Sequence, residues 1–499
     1  MAIIQDQLSG IKDLIETELT GRREIFTDIV PDSKENVKKI LESAIATHEV
    51  NAAECQTLIA YYQGIHKNIL QRPEQYASGV NNKIILNYAQ SIVRDIVGYT
   101  FGKDIEYVPK DVKNSEKITK LVAQMQDIDV PLEDISAATY ASICGVAYEC
   151  TVAETDASGK IIGIKVGHLS PLTTFVVKSH AFKNPVVMSV TYYESDTEGR
   201  VYTIYTDTKW YKATNGKDGE LVVEDKGFHS FGGNPISLIE NNVFRIGDFE
   251  VALSILDAID KVNSDRVNDI ENYVQSLLVF INASLGDSED EREETKKAIK
   301  ENRIVELRAP NGTGMVVDAK YITQQLNPQS TQAISDDLEE SLWKIVGIPD
   351  RKTRSSGGGD TGDAVQLRDG WADLEVVARN KEKYFKKAKR EQLVIALNIL
   401  KMISEDYDNL NAIDIDIKFS RNKRDNLATK SQAYSVLMST ETLAPEDALE
   451  IADMTTNVNE VVARGKTYWD SIDAELKKQV ATREDNINGN KGTNTIQEN

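Results

Sequence analysis

The spacing of apolar positions changes period along the chain, and each change marks a change of element type. From about residue 4 to 145 the spacing is helical. Within Leu86–Thr100, Ile92, Val93, Ile96 and Val97 share one face, and Gly102 follows as a stop. Further helices are expected over 33–48, 52–63 and 115–126. From Val146 to about Phe231 the period falls to two. Runs such as Ile161-Ile162-Gly163-Ile164-Lys165-Val166 and Val201-Tyr202-Thr203-Ile204-Tyr205 alternate with the turn pairs Ser158-Gly159, Glu198-Gly199, Asn215-Gly216 and Asp218-Gly219. That pattern predicts an antiparallel meander.

Helical spacing returns after Asn241-Asn242, with Val251, Ile255, Ile259, Val262, Ile270, Val274, Leu277 and Leu278 on one apolar face. A continuous helix from Asp248 to Phe280 would be about 50 Å long. The acidic run Asp287–Glu294 then leads into a helix, a strand at Ile304–Leu307, a turn at 310–312 and a strand at Met315–Val317. This reads as a small α/β module inserted between two helices. The returning helix, Ser330–Val346, stops at Gly347-Ile348-Pro349-Asp350 and is followed by a loop, expected to be mobile, up to Gly362. A third long helical pattern covers Ala364–Ile403, and a strand covers Ile413–Phe419. Two or three helices fill 426–480, and the polar tail after about Thr482 is expected to be disordered.

Composition narrows the function. With 499 residues, of which 40% are hydrophobic, the chain is long enough for two to five domains and a sizeable core. Its 58 basic and 79 acidic residues give a net charge of −21, the wrong sign for a protein that grips nucleic acid through its phosphates. Cys55, Cys144 and Cys150 are too few and too scattered for a disulfide framework and lack zinc spacing, so buried or free thiols in a reducing cytoplasm are expected. The N-terminus lacks a signal-peptide pattern and no apolar run approaches 18 residues, so secretion by that route and membrane spanning are not expected.

No H-E-x-x-H, G-x-S-x-G or P-loop motif is present. Gly357-Gly358-Gly359 precedes a helix but follows no apolar strand and lacks the Lys-Ser/Thr of a phosphate cradle, which favours a mobile loop. Asp287, Glu289, Glu291 and Glu294 offer oxygens for a cation, but without regular ligand spacing they read as a solvated helix N-terminus. Asp414 and Asp416 alternate with Ile413, Ile415 and Ile417. A nuclease-type carboxylate pair is one reading, and an ordinary half-exposed strand is the simpler one. His48, His66, His168, His180 and His229 show no ligand spacing and are expected at the surface or in supporting roles. Arg351, Lys352 and Arg354 cluster in the glycine loop. Lys381, Lys383, Lys386, Lys387, Lys389 and Arg390 cluster on the following helix, where a solvated face is expected.

Several segments carry a family resemblance when their order is considered. They are Tyr61-Tyr62-Gln63-Gly64, Asn81-Asn82-Lys83-Ile84, Asn87-Tyr88-Ala89, Gly98-Tyr99-Thr100-Phe101-Gly102-Lys103, Glu240-Asn241-Asn242, Gly247-Asp248-Phe249-Glu250, Leu256-Asp257-Ala258 and Ser264-Asp265. Over residues 45 to 420 the chain resembles the portal proteins of long-tailed bacteriophages, of the type found in siphoviruses infecting Gram-positive bacteria. The resemblance implies an α+β, mainly helical portal fold with long stem helices, a β-rich antiparallel wing section and a small α/β clip, assembled as a ring of about twelve subunits.

Laid on this chain, it implies an N-terminal wing at 1–247, a stem helix at 248–283, a clip at 284–325 and a second stem helix at 326–349. A tunnel loop at 350–362, a C-terminal wing at 363–420, a crown at 421–482 and a tail at 483–499 complete it. The stem would pack through Val251, Ile255, Ile259, Val262, Ile270, Val274 and Leu277. The clip would offer Asp287, Glu289, Asp290 and Glu291 to a partner, and the tunnel loop would face DNA with Arg351, Lys352, Arg354, Ser355, Gly357, Gly358 and Gly359. No catalytic residue, metal or cofactor is implied.

The implied function is a channel at one capsid vertex for packaging, retention and ejection of DNA. Its partners would be double-stranded DNA, contacted transiently and without sequence specificity, the terminase large subunit, a head-completion or adaptor protein, and the major capsid and scaffolding proteins, with no membrane. The protein would be made in the host cytoplasm and reside in the virion. The rivals are a metal-dependent DNA-processing enzyme built on Asp414 and Asp416, and a capsid or scaffold protein without a tunnel.

Overall fold

The structure, a computed structural model, describes residues 21–74, 79–215, 220–274, 277–281, 288–302, 318–322, 328–349, 371–421, 427–439, 443–452, 454–455 and 458–489. The chain divides into two compact units. One comprises Met1–Ile59, Ser91–Glu250 and Gly347–Asn499, and the other Ala60–Gln90 and Val251–Val346.

The first unit has an α+β architecture. Strand β1 (Ile25–Thr27) precedes helix α1 (Lys34–Tyr62), whose last residues enter the second unit together with α2 (Lys67–Leu70). Helix α3 (Tyr88–Phe101), strand β2 (Glu106–Pro109), α4 (Ser115–Asp127) and α5 (Val130–Cys144) follow. Then come β3 (Val146–Thr155), β4 (Ile161–Leu169), β5 (Thr174–Ser179), β6 (Val186–Ser195), β7 (Gly199–Tyr205), β8 (Lys209–Asn215), β9 (Leu221–Phe228) and β10 (Ile236–Glu240). The two helices expected over 33–48 and 52–63 are one continuous 29-residue helix, because nothing between them breaks it.

The β region is two sheets. Six strands run in the order β1-β5-β6-β7-β8-β9, with β1 parallel to β5 and the remaining pairs antiparallel. A separate sheet has the order β10-β3-β4. The period-two pattern explains the core of the larger sheet. Phe175 and Val177, Met188 and Val190, Tyr202 and Ile204, and Tyr211 and Ala213 alternate inward, and Val37, Ile40, Leu41 and Ala44 of α1 cover them. Each such side chain contributes about 1.5–3 kcal/mol when fully buried.

The long helix α9 (Trp371–Lys401) contacts β10 and β3, and its Leu393, Ala396, Leu397 and Leu400 share a core with Ile118, Leu121 and Met125 of α4. Strand β13 (Ile415–Lys418) pairs antiparallel with β2. Ile413 was expected on the buried face with Ile415 and Ile417, but it sits in a 3-10 turn, Ala412–Asp414, that breaks the alternation and leaves it exposed.

The second unit contains α6 (Leu253–Val274), β11 (Leu277–Ile281), α7 (Glu289–Asn302), β12 (Asp318–Ile322) and α8 (Pro328–Val346). The expected helix from Asp248 to Phe280 is therefore corrected at both ends. A 3-10 turn occupies Glu250–Ala252, and the run Leu-Leu-Val-Phe-Ile at 277–281 leaves the helix to pair antiparallel with β12. A short apolar run rich in β-branched and aromatic residues fits helix and strand periods equally, and the partner strand decides. The expected strands at Ile304–Leu307 and Met315–Val317 lie outside the described residues.

Three further helices end the chain: α10 (Leu427–Met438), α11 (Pro445–Ile451) and α12 (Val458–Gly489). Helix α12 continues past the tail boundary expected near residue 482. Among the described residues no helix is long and apolar enough to cross a membrane.

Candidate functional site

The helix pair α6 and α8 and the insertion between them are where the resemblance places the stem and the clip. The face that α6 buries is unusual. Leu256 and Ile259 are buried on it, but so are Asp260, Ser264 and Asn268, spaced four residues apart along one line. Polar groups are buried at a cost of a few kcal/mol each unless they are bonded, and here each one bonds main chain. Asn268 Oδ1 accepts from Asn82 N at 2.6 Å, Ser264 Oγ from Ile84 N at 2.9 Å, and Asp260 Oδ1 from Leu86 N at 2.8 Å.

Alternate residues of this strap meet successive turns of the helix in antiparallel order. The match is geometric, since two residues of extended chain span about 6.6 Å and four residues of helix about 6 Å. No sheet is needed to satisfy the strap's amides, because the helix side chains take that place.

Flanking groups extend the seam. Asp257 accepts from Tyr61 Oη at 2.8 Å and from Asn68 Nδ2 at 2.6 Å, which with burial raises the Tyr61 phenol. Arg72 pairs with Asp265 at 2.5 Å, and Asn82 Nδ2 donates to Glu271 at 2.6 Å. His66, fully buried, places Nδ1 at 2.5 Å from Asp260 Oδ2 and Nε2 at 3.2 Å from the Tyr61 carbonyl.

Within one chain the expected stem-packing residues differ in exposure. Of the seven, Ile259 is buried, Ile255 and Val262 are half-buried, and Val251 and Ile270 are 58% and 59% exposed. The side chains of Val274 and Leu277 lie outside those described. The covered face of α6 thus mixes Leu256 and Ile259 with the polar line, while Val267 and Ile270 on α6 and Ile334 and Ile345 on α8 are exposed.

In the insertion, Glu289, Asp290 and Glu291 occupy the exposed first turn of α7, where the helix dipole favours acids. Ser288 Oγ accepts from Glu291 N at 3.3 Å. Asp287 lies outside the described residues. So do Arg351, Lys352, Arg354, Ser355, Gly357, Gly358 and Gly359.

In the basic cluster on α9, Lys383, Lys387 and Arg390 are exposed as expected and Lys386 is half-buried, but Lys381 and Lys389 are buried. Lys389 is fully buried between Asp134 and Glu149, the latter at 2.7 Å, with Gln392 Oε1 at 2.9 Å. Burial and then Glu149 push the Asp134 carboxyl up against the pull of Lys389, while the two acids keep the ammonium raised despite its own burial. Lys381 is buried against Asn241 and both oxygens of Asp248, at 2.6 and 2.7 Å. Beyond β13, Arg421 bonds Glu382 and Glu375. Burial raises Glu375, but bonds from Arg421, Tyr99 and Arg379 outweigh it and hold the carboxyl at about 2.

The carboxylates considered for a nuclease site are already occupied. Asp416 pairs with Lys386 at 2.8 Å, and Asp414 Oδ2 accepts from Asn411 N at 3.0 Å within its turn. Among the described residues no group of three or more His, Cys, Asp or Glu is arranged to hold a metal ion. Of the histidines expected at the surface or in supporting roles, His66 is buried in the seam and His48 between Phe175 and Tyr192.

Sequence reasoning missed the seam because Asp260, Ser264 and Asn268 sit on what the apolar count assigned to solvent. A signal was available: the segments 61–64, 81–84, 256–258 and 264–265, nearly two hundred residues apart, were singled out together, and the fold brings them into contact. In a scan of protein-family models, the model described as phage portal protein, SPP1 Gp6-like, matches residues 41–477. No curated protein matches the chain.

Proposed function

The chain belongs to the SPP1 Gp6-like family of phage portal proteins, and from that premise we propose that it forms the ring-shaped conduit through which double-stranded DNA enters and leaves the capsid. Family membership carries a portal role at the capsid vertex, structural in kind, and a homo-oligomeric state. The finer reading is that about twelve copies close a ring by a heterologous interface. Helices α6 and α8 act as stem helices, 284–325 as the clip, 350–362 as the tunnel loop and 421–482 as the crown. The motor is a terminase large subunit, which supplies the ATPase chemistry for which this sequence has no P-loop. The acidic clip residues Asp287, Glu289, Asp290 and Glu291 are the surface offered to an adaptor.

The observation that carries the reading is the apolar stripe that the helix pair leaves exposed. A helix that satisfies its polar line against its own chain and exposes Val267, Ile270, Ile334 and Ile345 gains apolar burial from a neighbour, and a ring supplies one to every copy. The charge of −21 suits a conduit, because repelled phosphates slide where bound ones would stall. Arg351, Lys352 and Arg354, with Ser355 and Gly357–Gly359, are the groups that would touch DNA transiently.

Native mass measurement with negative-stain imaging of the same peak tests this. The expected species is a ring with a central hole and a mass of roughly 670 kDa. A species that remains at 55.6 kDa at high concentration, even with scaffold and capsid protein present, would remove the conduit reading.

A further inference from the structure

Outside the helix pair, the first unit contains a pair of thiols that the portal role does not use. Cys55 on α1 and Cys144, the last residue of α5, are 1% and 0% exposed, and each thiol is the leading influence on the other's acidity. Arg22 Nη1 lies 3.9 Å from Cys55 Sγ, while Nη2 of the same guanidinium pairs with Glu250 at 2.5 Å. The third nitrogen, Arg22 Nε, is buried and has no hydrogen-bond partner among the described residues.

A cavity of about 30 Å³ adjoins this group, lined by Arg22, Asn51, Cys55 and Tyr148 among others. That is room for one or two molecules the size of water and excludes a tripeptide disulfide such as oxidised glutathione. Cys144, opposed by burial and aided by Arg22, pulls the Cys55 thiol below its ordinary value, and Cys55 together with burial raises Cys144. Cys55, which lines the cavity with Arg22 Nη1 3.9 Å from its sulfur, is placed as the nucleophile, and Cys144, which does not line it, as the resolving thiol. Cys150 stands apart, its thiol pushed up to about 12 by burial.

We propose that Cys55 and Cys144 form a peroxide-sensitive dithiol, closed to a disulfide by hydrogen peroxide admitted to the cavity beside Arg22. The Cys55 thiolate attacks one peroxide oxygen and the O–O bond breaks. The departing hydroxide takes a proton and leaves as water, and Cys55 becomes a sulfenic acid. The Cys144 sulfur, losing its proton, attacks Cys55 sulfur, and the sulfenic hydroxyl departs with that proton as a second water. Two thiols and one peroxide become one disulfide and two waters: the sulfurs give up two electrons and the peroxide accepts them. The Arg22 guanidinium stabilises the thiolate before attack and the hydroxide as it leaves. The product staples α1 to the end of α5.

The test uses the full-length folded protein, treated with hydrogen peroxide, quenched with catalase, then denatured, alkylated and mapped by mass spectrometry. The expected result is a fall from three alkylatable thiols to one, a linked peptide joining Cys55 to Cys144, and an intact Cys150. In Cys144→Ser the same treatment leaves Cys55 as a sulfenic acid that dimedone traps. The wild-type map decides the matter even if that variant does not fold. Three alkylatable thiols after peroxide, a bridge through Cys150 or between chains, or Cys55 oxidised without a bridge would each overturn the proposal.

Discussion

The two units use buried positions in opposite ways. In the first, the large sheet and the helix over it meet through apolar faces, and buried charges are set against counter-ions, as with Lys389 between Asp134 and Glu149. In the second, α6 turns Asp260, Ser264 and Asn268 inward to hold a strap of main chain and leaves Val267 and Ile270 outside. The first unit owes its stability chiefly to its own chain. The second holds its strap by side-chain hydrogen bonds and leaves an apolar stripe exposed.

The largest effect is expected where the first unit is violated most directly. Lys389→Ala leaves Asp134 and Glu149 as like charges in a dry site and should cost about 3–5 kcal/mol in urea melts. Adding Asp134→Asn and Glu149→Gln should recover much of that loss. Cutting the seam is expected to cost less. Asp260→Ala removes the acceptor for Leu86 N and His66, worth about 1–3 kcal/mol, and should speed hydrogen exchange over 82–86 while leaving β5–β8 unchanged. Equal acceleration in both units would dissolve the contrast between them.

A third substitution separates folding from assembly. Ile270→Asp, at an exposed position, should change single-chain stability by no more than about 0.5 kcal/mol and yet abolish rings in negative stain. A stable ring from that variant would take the apolar stripe out of the interface.

The smallest effect is a pH dependence in the first unit. Glu375 is held at about 2 in the folded protein against an ordinary value of 4.5. The folded state therefore binds fewer protons in that interval, and the stabilisation is fully present above about pH 5 and lost as pH falls toward 2. The deficit of Glu375→Gln relative to wild type, measured by denaturant melts across pH, should be constant above that window and vanish at its bottom.

Much of this was legible before any coordinates. Period-two runs from Val146 to Phe231 located the sheets, and caps and stops located α3, α4 and α8 within a few residues. Sheet partnering was not legible: nothing local tells β3 to pair with β10 across some ninety residues, or β1 to lie parallel to β5. The polar line on α6 and the burial of Lys381 and Lys389 were misread for one reason. A hydropathy pattern assigns every charge to water, whereas a charge with enough partners is satisfied inside.

The strap register has a mechanical meaning. Three main-chain bonds of nearly equal spacing join strap and helix along one line, so a pull parallel to the helix axis strains all of them together, and they must rupture in concert. A pull across that axis would instead open them one after another. The seam is thus stiff along the helix and compliant across it. A slip to the next anchoring position would have to advance by four helical residues, about 6 Å.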